Sequence, residues 1–271
     1  MDEIQHRNSL NISLIVFDLD GTLLDSRKQV SARNQEAIRK CHASGIKIVY
    51  ATARPPRAVA ELLPTSLRQI GSMVFYNGAL IRCIHTGIEA HETIPPALAS
   101  AILDEVYQHH PDADMSLEVD DIWFSHKPYD AETLMNVKGA PVVVPLEEMK
   151  RLAATKILLS GNSAAGERFR KFEHEVNIVV TDRGTLAQIS SKNASKESAV
   201  AKLCEAMGIS MQEVMAFGDD ANDIGLFRAC GWPVAMGNAI DELKASAKVI
   251  ADTNDRDGVA KVLERILSNE S

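Results

Sequence analysis

Residues 17–26 read FDLDGTLLDS and continue the apolar run Leu14, Ile15, Val16. The stretch reads as a buried strand running out onto two aspartates, Asp18 and Asp20, two positions apart. Like charges at that spacing raise each other's pKa unless a cation or a bound ligand offsets the repulsion. Such a pair is either a solvated turn or a site built to hold positive charge. The rest of the chain decides between them.

Outward from this strand, helix and strand alternate. Ser31 opens a helix carrying Ala37, Ile38 and Cys41, and Gly45 stops it. The run IKIVYA (46–51) is the next strand, followed by Pro55, Pro56 and an apolar-faced helix through Leu63. A third strand, MVFY (73–76), meets Asn77-Gly78, a strong hairpin signal that turns the chain into ALIRC. The last third returns to the same grammar. Val200, Leu203, Cys204 and Met207 form a helical stripe ended by Gly208. Short strands follow at VMAF (214–217), PVAM (233–236) and VIA (249–251), and Val259, Val262, Leu263, Ile266 and Leu267 mark a closing helix. The middle differs, with short strands, a helix over 96–108, another over 164–175 and a hairpin around Asp182–Gly184. The expected architecture is α/β: a doubly wound, mostly parallel sheet covered on both faces. Residues 1–81 and 189–271 form this Rossmann-like core, and residues 82–188 form an inserted α+β cap domain.

Composition narrows the function classes. The 271 residues are 45% apolar and 24% charged, as in an ordinary globular protein, and the net charge of −8 argues against nucleic acid or an anionic membrane as partner. No apolar run approaches the ~18 residues of a spanning helix. The opening MDEIQHRNSL carries acids and no apolar centre, so it reads as a short disordered lead-in and not as a signal peptide. Cys41, Cys83, Cys204 and Cys230 are scattered without a CxxC pair, which fits reduced thiols in the cytoplasm. The eight histidines show no ligand spacing, and none is given a role.

Three strands of the split core end on polar groups: Asp18, Thr52 and Asp219. In open α/β sheets ligands bind outside the carboxyl ends of the strands, so two acids and a hydroxyl there point to one shared site. GDDANDIGLF (218–227) adds Asp220 and Asp223, although alone it can also be read as a polar loop capping a helix. An all-oxygen cluster selects a hard divalent ion, Mg2+ before Zn2+. Lys196, at the start of the striped helix after Ser195, supplies a cation where anions are already favoured.

Together these stretches closely resemble the haloacid dehalogenase-like phosphohydrolases of the Cof type, which carry a large cap. The resemblance runs nearly end to end, through FDLDGTLLDS, ATAR, NGA, SKESAVAKL, GDDANDIGLF, VAMGNA and DGVAKVL. It implies that Asp18 is the nucleophile that forms an aspartyl-phosphate. Asp20 is the general acid, kept protonated long enough to donate to the leaving alkoxide, and then the base. The implied metal is Mg2+, held by Asp18, Asp219, Asp223 and the backbone carbonyl of Asp20. Thr52 and Lys196 bind phosphoryl oxygens, while Gly21 and Thr22 allow a tight turn after Asp20. Asn77, Gly78, Arg54 and Asn222 are weaker candidates for substrate contact. Ala53, Glu197 and Asp220 depart from the family pattern. In the cap, Trp123, His126, Lys156 and Arg183 are the side chains to inspect for specificity, Trp123 reading first as cap core. The resulting expectation is a cytoplasmic Mg2+-dependent phosphatase of a small phosphomonoester, a sugar phosphate or a phosphorylated cofactor. A phosphomutase that returns the phosphoryl group to a sugar, and a phosphate-accepting signalling receiver, stand as alternatives. Oligomeric state is not legible.

Overall fold

The structure, a computed structural model, describes residues 11–111, 113–129, 140–160, 171–181 and 186–269. The chain divides into two compact units. One comprises residues 1–54, 59–89 and 195–271, and the other residues 55–58 and 90–194.

The first five strands are β1 (Leu14–Phe17), β2 (Lys47–Ala51), β3 (Gly71–Phe75), β4 (Leu80–Arg82) and β5 (Glu89–His91). Strands β6 (Asp114–Val119), β7 (Ile122–Ser125), β8 (Val142–Val143), β9 (Lys156–Ser160), β10 (Val176–Thr181) and β11 (Leu186–Ser191) follow in the insert. The chain then adds β12 (Val214–Gly218), β13 (Trp232–Ala235) and β14 (Val249–Ile250). Among the described residues these make an eight-stranded sheet in the order β14-β13-β12-β1-β2-β3-β4-β5 and a six-stranded sheet in the order β10-β11-β9-β6-β7-β8. Strands from β14 to β3 pair in parallel, and β4 turns back antiparallel on β3. Parallel strands need crossovers, and a centre covered on both faces is apolar throughout, which is why β1 is buried at all four positions.

Helix α1 (Ala32–Ala43) starts where Ser31 accepts a hydrogen bond from the Asn34 amide. Helix α2 (Pro56–Leu62) leads towards β3, and α3 (Pro96–His109) belongs to the insert. Helix α4 (Lys196–Met207) opens with a reciprocal cap between Ser195 and Ser198 and closes on left-handed Gly208. Helices α5 (Ile224–Ala229) and α6 (Gly258–Asn269) also belong to the core unit. Val259, Val262, Leu263 and Ile266 of α6 are buried, and the Asn34 side-chain oxygen of α1 accepts the Ala260 amide at 2.9 Å.

The inserted unit has its own core. Ile102, Leu103 and Val106 of α3 pack with Met115, Leu117, Ile157, Leu159, Ala187 and Ile189 from alternate positions of three strands. Residue 81 lies in β4 of the larger sheet and residue 188 in the middle of β11, so the units part a few residues beyond both expected boundaries. The helix over 164–175 and the tip at Asp182–Gly184 fall largely on residues outside those described, although β10 and β11 pair antiparallel up to Thr181 and Leu186. All four cysteines are free and buried. Among the described residues no helix is long and apolar enough to cross a membrane.

Candidate active site

The site grows from three neighbouring strand ends. Phe17 lies beside Phe217 of β12 and beside Tyr50 of β2, and its ring stacks on both at centroid distances of 5.2 and 6.0 Å. The residues that leave these strands, Asp18, Asp219 and Thr52, therefore emerge along one carboxyl edge. The Asp18 amide still bonds to the Phe217 carbonyl at 3.0 Å. Thr52 is fixed by its backbone to Val74 and Asn77, each at 2.9 Å, and its hydroxyl accepts the Arg54 amide at 3.2 Å.

Lys196 reaches this edge from the first residue of α4. Its ammonium donates to Asp18 Oδ1 at 2.6 Å and to Asp223 Oδ1 at 2.7 Å, with side-chain exposures of 0, 8 and 1% in that order. The other Asp223 oxygen accepts the amides of Asp219 at 3.1 Å and Asp220 at 3.3 Å, so both of its oxygens are engaged. Gly218 makes room for this, since a Cβ there would stand 2.5 Å from the Asp223 carboxylate. Asp219 is aimed by Thr22, whose hydroxyl donates to Oδ1 at 2.8 Å. At Gly21, φ is +75° and a Cβ would sit 2.1 Å from Asp219 Oδ2, so only glycine fits. Thr22 thus does more than allow a turn.

Asp18, Asp219 and Asp223 each offer an oxygen, and these atoms lie within 4.8 Å of one another. Three carboxylates facing one ammonium leave two negative charges, the complement of one divalent cation. An oxygen-only donor set suits a hard ion, so the residues fit the group that their pattern implies.

The electrostatics follow from burial. Removal from water pushes the Asp18 carboxyl up to about 8, with Asp223 and Asp219 adding to the rise and Lys196 opposing it. Burial also lifts Asp219, to about 6, against the hydrogen bond from Thr22. Lys196 is penalised by burial, yet Asp18 and Asp223 outweigh that and raise it, so it stays an ammonium. For Asp20 burial acts upward, but hydrogen bonds from Arg54 and Lys28 prevail and hold it below the ordinary carboxylate value. The expected division, an ionised Asp18 beside a protonated Asp20, belongs to a site with its metal in place, and these directions are those of the protein without one. Without a cation the fully desolvated member is the one that favours its proton, while the half-buried member with two cationic partners favours charge.

Asp20 is held at both oxygens. Arg54 donates from Nε to Oδ2 at 2.5 Å and from Nη2 to Oδ1 at 2.8 Å, and Lys28 adds a third bond to Oδ1 at 2.7 Å. Of the weaker candidates, Asn222 donates to the Asn77 side-chain oxygen at 3.0 Å. Gly78 is buried with φ +105°, and a Cβ there would meet the Ser195 carbonyl oxygen at 2.1 Å. Its bareness lets the turn after β3 approach the cap of α4, the helix that carries Lys196. Asp220 is exposed and caps the short 221–223 turn through the Ala221 amide at 2.7 Å. Glu197 stands in the first turn of α4.

Within the inserted unit, Trp123 stacks on Tyr129 with ring centroids 5.3 Å apart, and its indole nitrogen is buried without a partner among the described residues. His126 Nδ1 lies 3.2 Å from the Met115 carbonyl. Lys156 is buried and donates to Gln188 Oε1 at 2.8 Å, and burial pushes it down to about 8. Arg183 lies outside the described residues.

Comparison with known proteins agrees with this geometry. The family profile described as haloacid dehalogenase-like hydrolase matches residues 15–263. A Bacillus subtilis 5-amino-6-(5-phospho-D-ribitylamino)uracil phosphatase is 28% identical over 95% of this chain and 96% of its own length. A Methanobrevibacter smithii phosphoglycolate phosphatase is 27% identical over 95% of this chain and the whole of its own. The crystal structure of a Thermotoga maritima protein superposes with a TM-score of 0.84 at 27% identity, covering 94% of this chain and 97% of that one. The chain belongs to the haloacid dehalogenase-like hydrolases, as a phosphohydrolase of the Cof type.

Proposed function

We propose that this enzyme is a cytoplasmic, Mg2+-dependent phosphatase that hydrolyses a small phosphomonoester, a sugar phosphate or a phosphorylated cofactor, through an aspartyl-phosphate on Asp18. The observation that carries the reading is the cluster of three carboxylates, two of them buried and bonded to one lysine, with two negative charges in excess. The relatives' names, a phosphatase of a phosphorylated ribityl compound and one of phosphoglycolate, support a small substrate. Four buried free thiols suit a reducing compartment.

In this reading an Asp18 carboxylate oxygen attacks phosphorus as the ester P–O bond breaks, and Asp20, once protonated, gives its proton to the departing oxygen. Water then attacks the phosphorus, Asp20 takes a proton from it, and the bond to Asp18 breaks to release inorganic phosphate. Lys196 and Thr52 hold phosphoryl oxygens as negative charge spreads over them. Bound Mg2+, held by Asp18, Asp219, Asp223 and the Asp20 carbonyl, supplies the positive charge that lets an anionic carboxylate meet an anionic phosphoryl group. The inserted unit is the part of the chain expected to select the leaving group.

A phosphate-release screen over a panel of metabolite phosphates, with Mg2+ and with chelator, tests this. Release of inorganic phosphate from small monoesters, lost on chelation and restored by Mg2+, is expected. Hydrolysis that survives chelation unchanged rules out the metal. Transfer between sugar positions without phosphate release points to the mutase.

A further inference from the structure

Lys28 has no part in the chemistry assigned above, yet it is placed with some care. Its backbone is left-handed, φ +61°, a conformation that a residue with a Cβ seldom adopts. The Asp25 side chain maintains it by accepting the Arg27 and Gln29 amides, each at 2.9 Å, while the Lys28 amide bonds to the Asp25 carbonyl at 2.9 Å. The outcome is an ammonium 2.7 Å from Asp20 Oδ1, on a side chain still 50% exposed. Backbone strain that serves to aim one side chain is a mark of a working position.

Lys28 and Arg54 together face the single charge of Asp20, so this corner carries one positive charge in excess. Both cations keep hydrogen-bonding capacity beyond Asp20. The ammonium has three donors and the guanidinium five, of which one and two are used there. On the reading that Asp20 protonates the leaving oxygen, that oxygen comes within about 3 Å of an Asp20 carboxylate oxygen. The carbons bonded to it, and their substituents, then lie within reach of the Lys28 ammonium. Partly exposed cations in that position attract an oxygen-rich, anionic substituent and leave a neutral one largely unrewarded.

We infer that Lys28, together with Arg54, recognises a carboxylate on the leaving group, so that the enzyme favours phosphomonoesters of hydroxy acids over those of the matching neutral alcohols. This inference rests on the assignment of Asp20 under Proposed function. The test is competition against hydrolysis of 4-nitrophenyl phosphate at fixed free Mg2+, with 3-phosphoglycerate and glycerol 3-phosphate as a pair differing only in carboxylate against hydroxymethyl. The parent protein binds the carboxylate member more tightly, and Lys28→Met cuts that preference about fivefold, the worth of one partly exposed charge-assisted contact. Lys28→Glu inverts the preference, and Lys28→Arg keeps it. A purely structural role would shift both inhibition constants together and leave their ratio alone. An unchanged ratio in Lys28→Met and Lys28→Glu, or failure of the carboxylate member to compete better in the parent protein, overturns the inference. Failure of the underlying assignment shows separately, as hydrolysis of glycerol 3-phosphate, whose alkoxide needs a proton to leave, that is undiminished in Asp20→Asn.

Discussion

Asp18→Asn is expected to release no phosphate from any monoester the parent protein hydrolyses, a fall of at least about a thousandfold in kcat. The substitution removes the attacking oxygen's charge and little else. An asparagine oxygen can still accept from Lys196, which keeps its ion pair with Asp223 at 2.7 Å. One of three clustered carboxylates disappears from a site where burial and like charges already disfavour ionisation. Stability measured by chemical denaturation without metal should therefore hold or rise. Turnover in the variant at even a few per cent of the parent rate would move the nucleophile elsewhere.

Lys196→Met is expected to abolish activity as well, but with the opposite effect on stability. It leaves Asp18 and Asp223 facing each other out of water with no cation between them. Breaking a buried pair by deleting one partner costs ~3–5 kcal/mol, and with side-chain exposures of 0–8% there is little solvent to screen the remaining charges. Adding Asp18→Asn to this variant should restore part of the loss, because it removes one of the two stranded carboxylates. The coupling between the two changes, read from denaturation of the four proteins, is the quantity of interest. Independent, additive effects would mean that the lysine does not compensate these acids.

The contrast between these variants also marks what the residue string could and could not reveal. Asp18, Thr52 and Asp219 were legible because each follows a short apolar run, and neighbouring parallel strands carry their ends to one edge. Lys196 was legible from its place at a capped helix start. The contacts that tune these residues were not, because they join positions far apart in the chain by side-chain reach alone. Thr22 aims Asp219 from 197 residues away, and Asn77 binds Asn222 across 145. The cations that hold the Asp20 carboxylate were hidden for the same reason. Nothing in DLDGT announces that Arg54, 34 residues on, will fork onto that carboxylate, or that a strained Lys28 will join it. In the insert, short strands were legible, but their order depends on non-local pairing that short polar turns do not encode.

All of these expectations depend on positive charge entering among the strand-end acids. The direct test is a crystal of the protein soaked with Mn2+ as a stand-in for Mg2+, with the ion located by its anomalous scattering. The account predicts one strong peak bonded to carboxylate oxygens of both Asp18 and Asp219. A saturating soak that places no ion there, or places it against other residues, would contradict it.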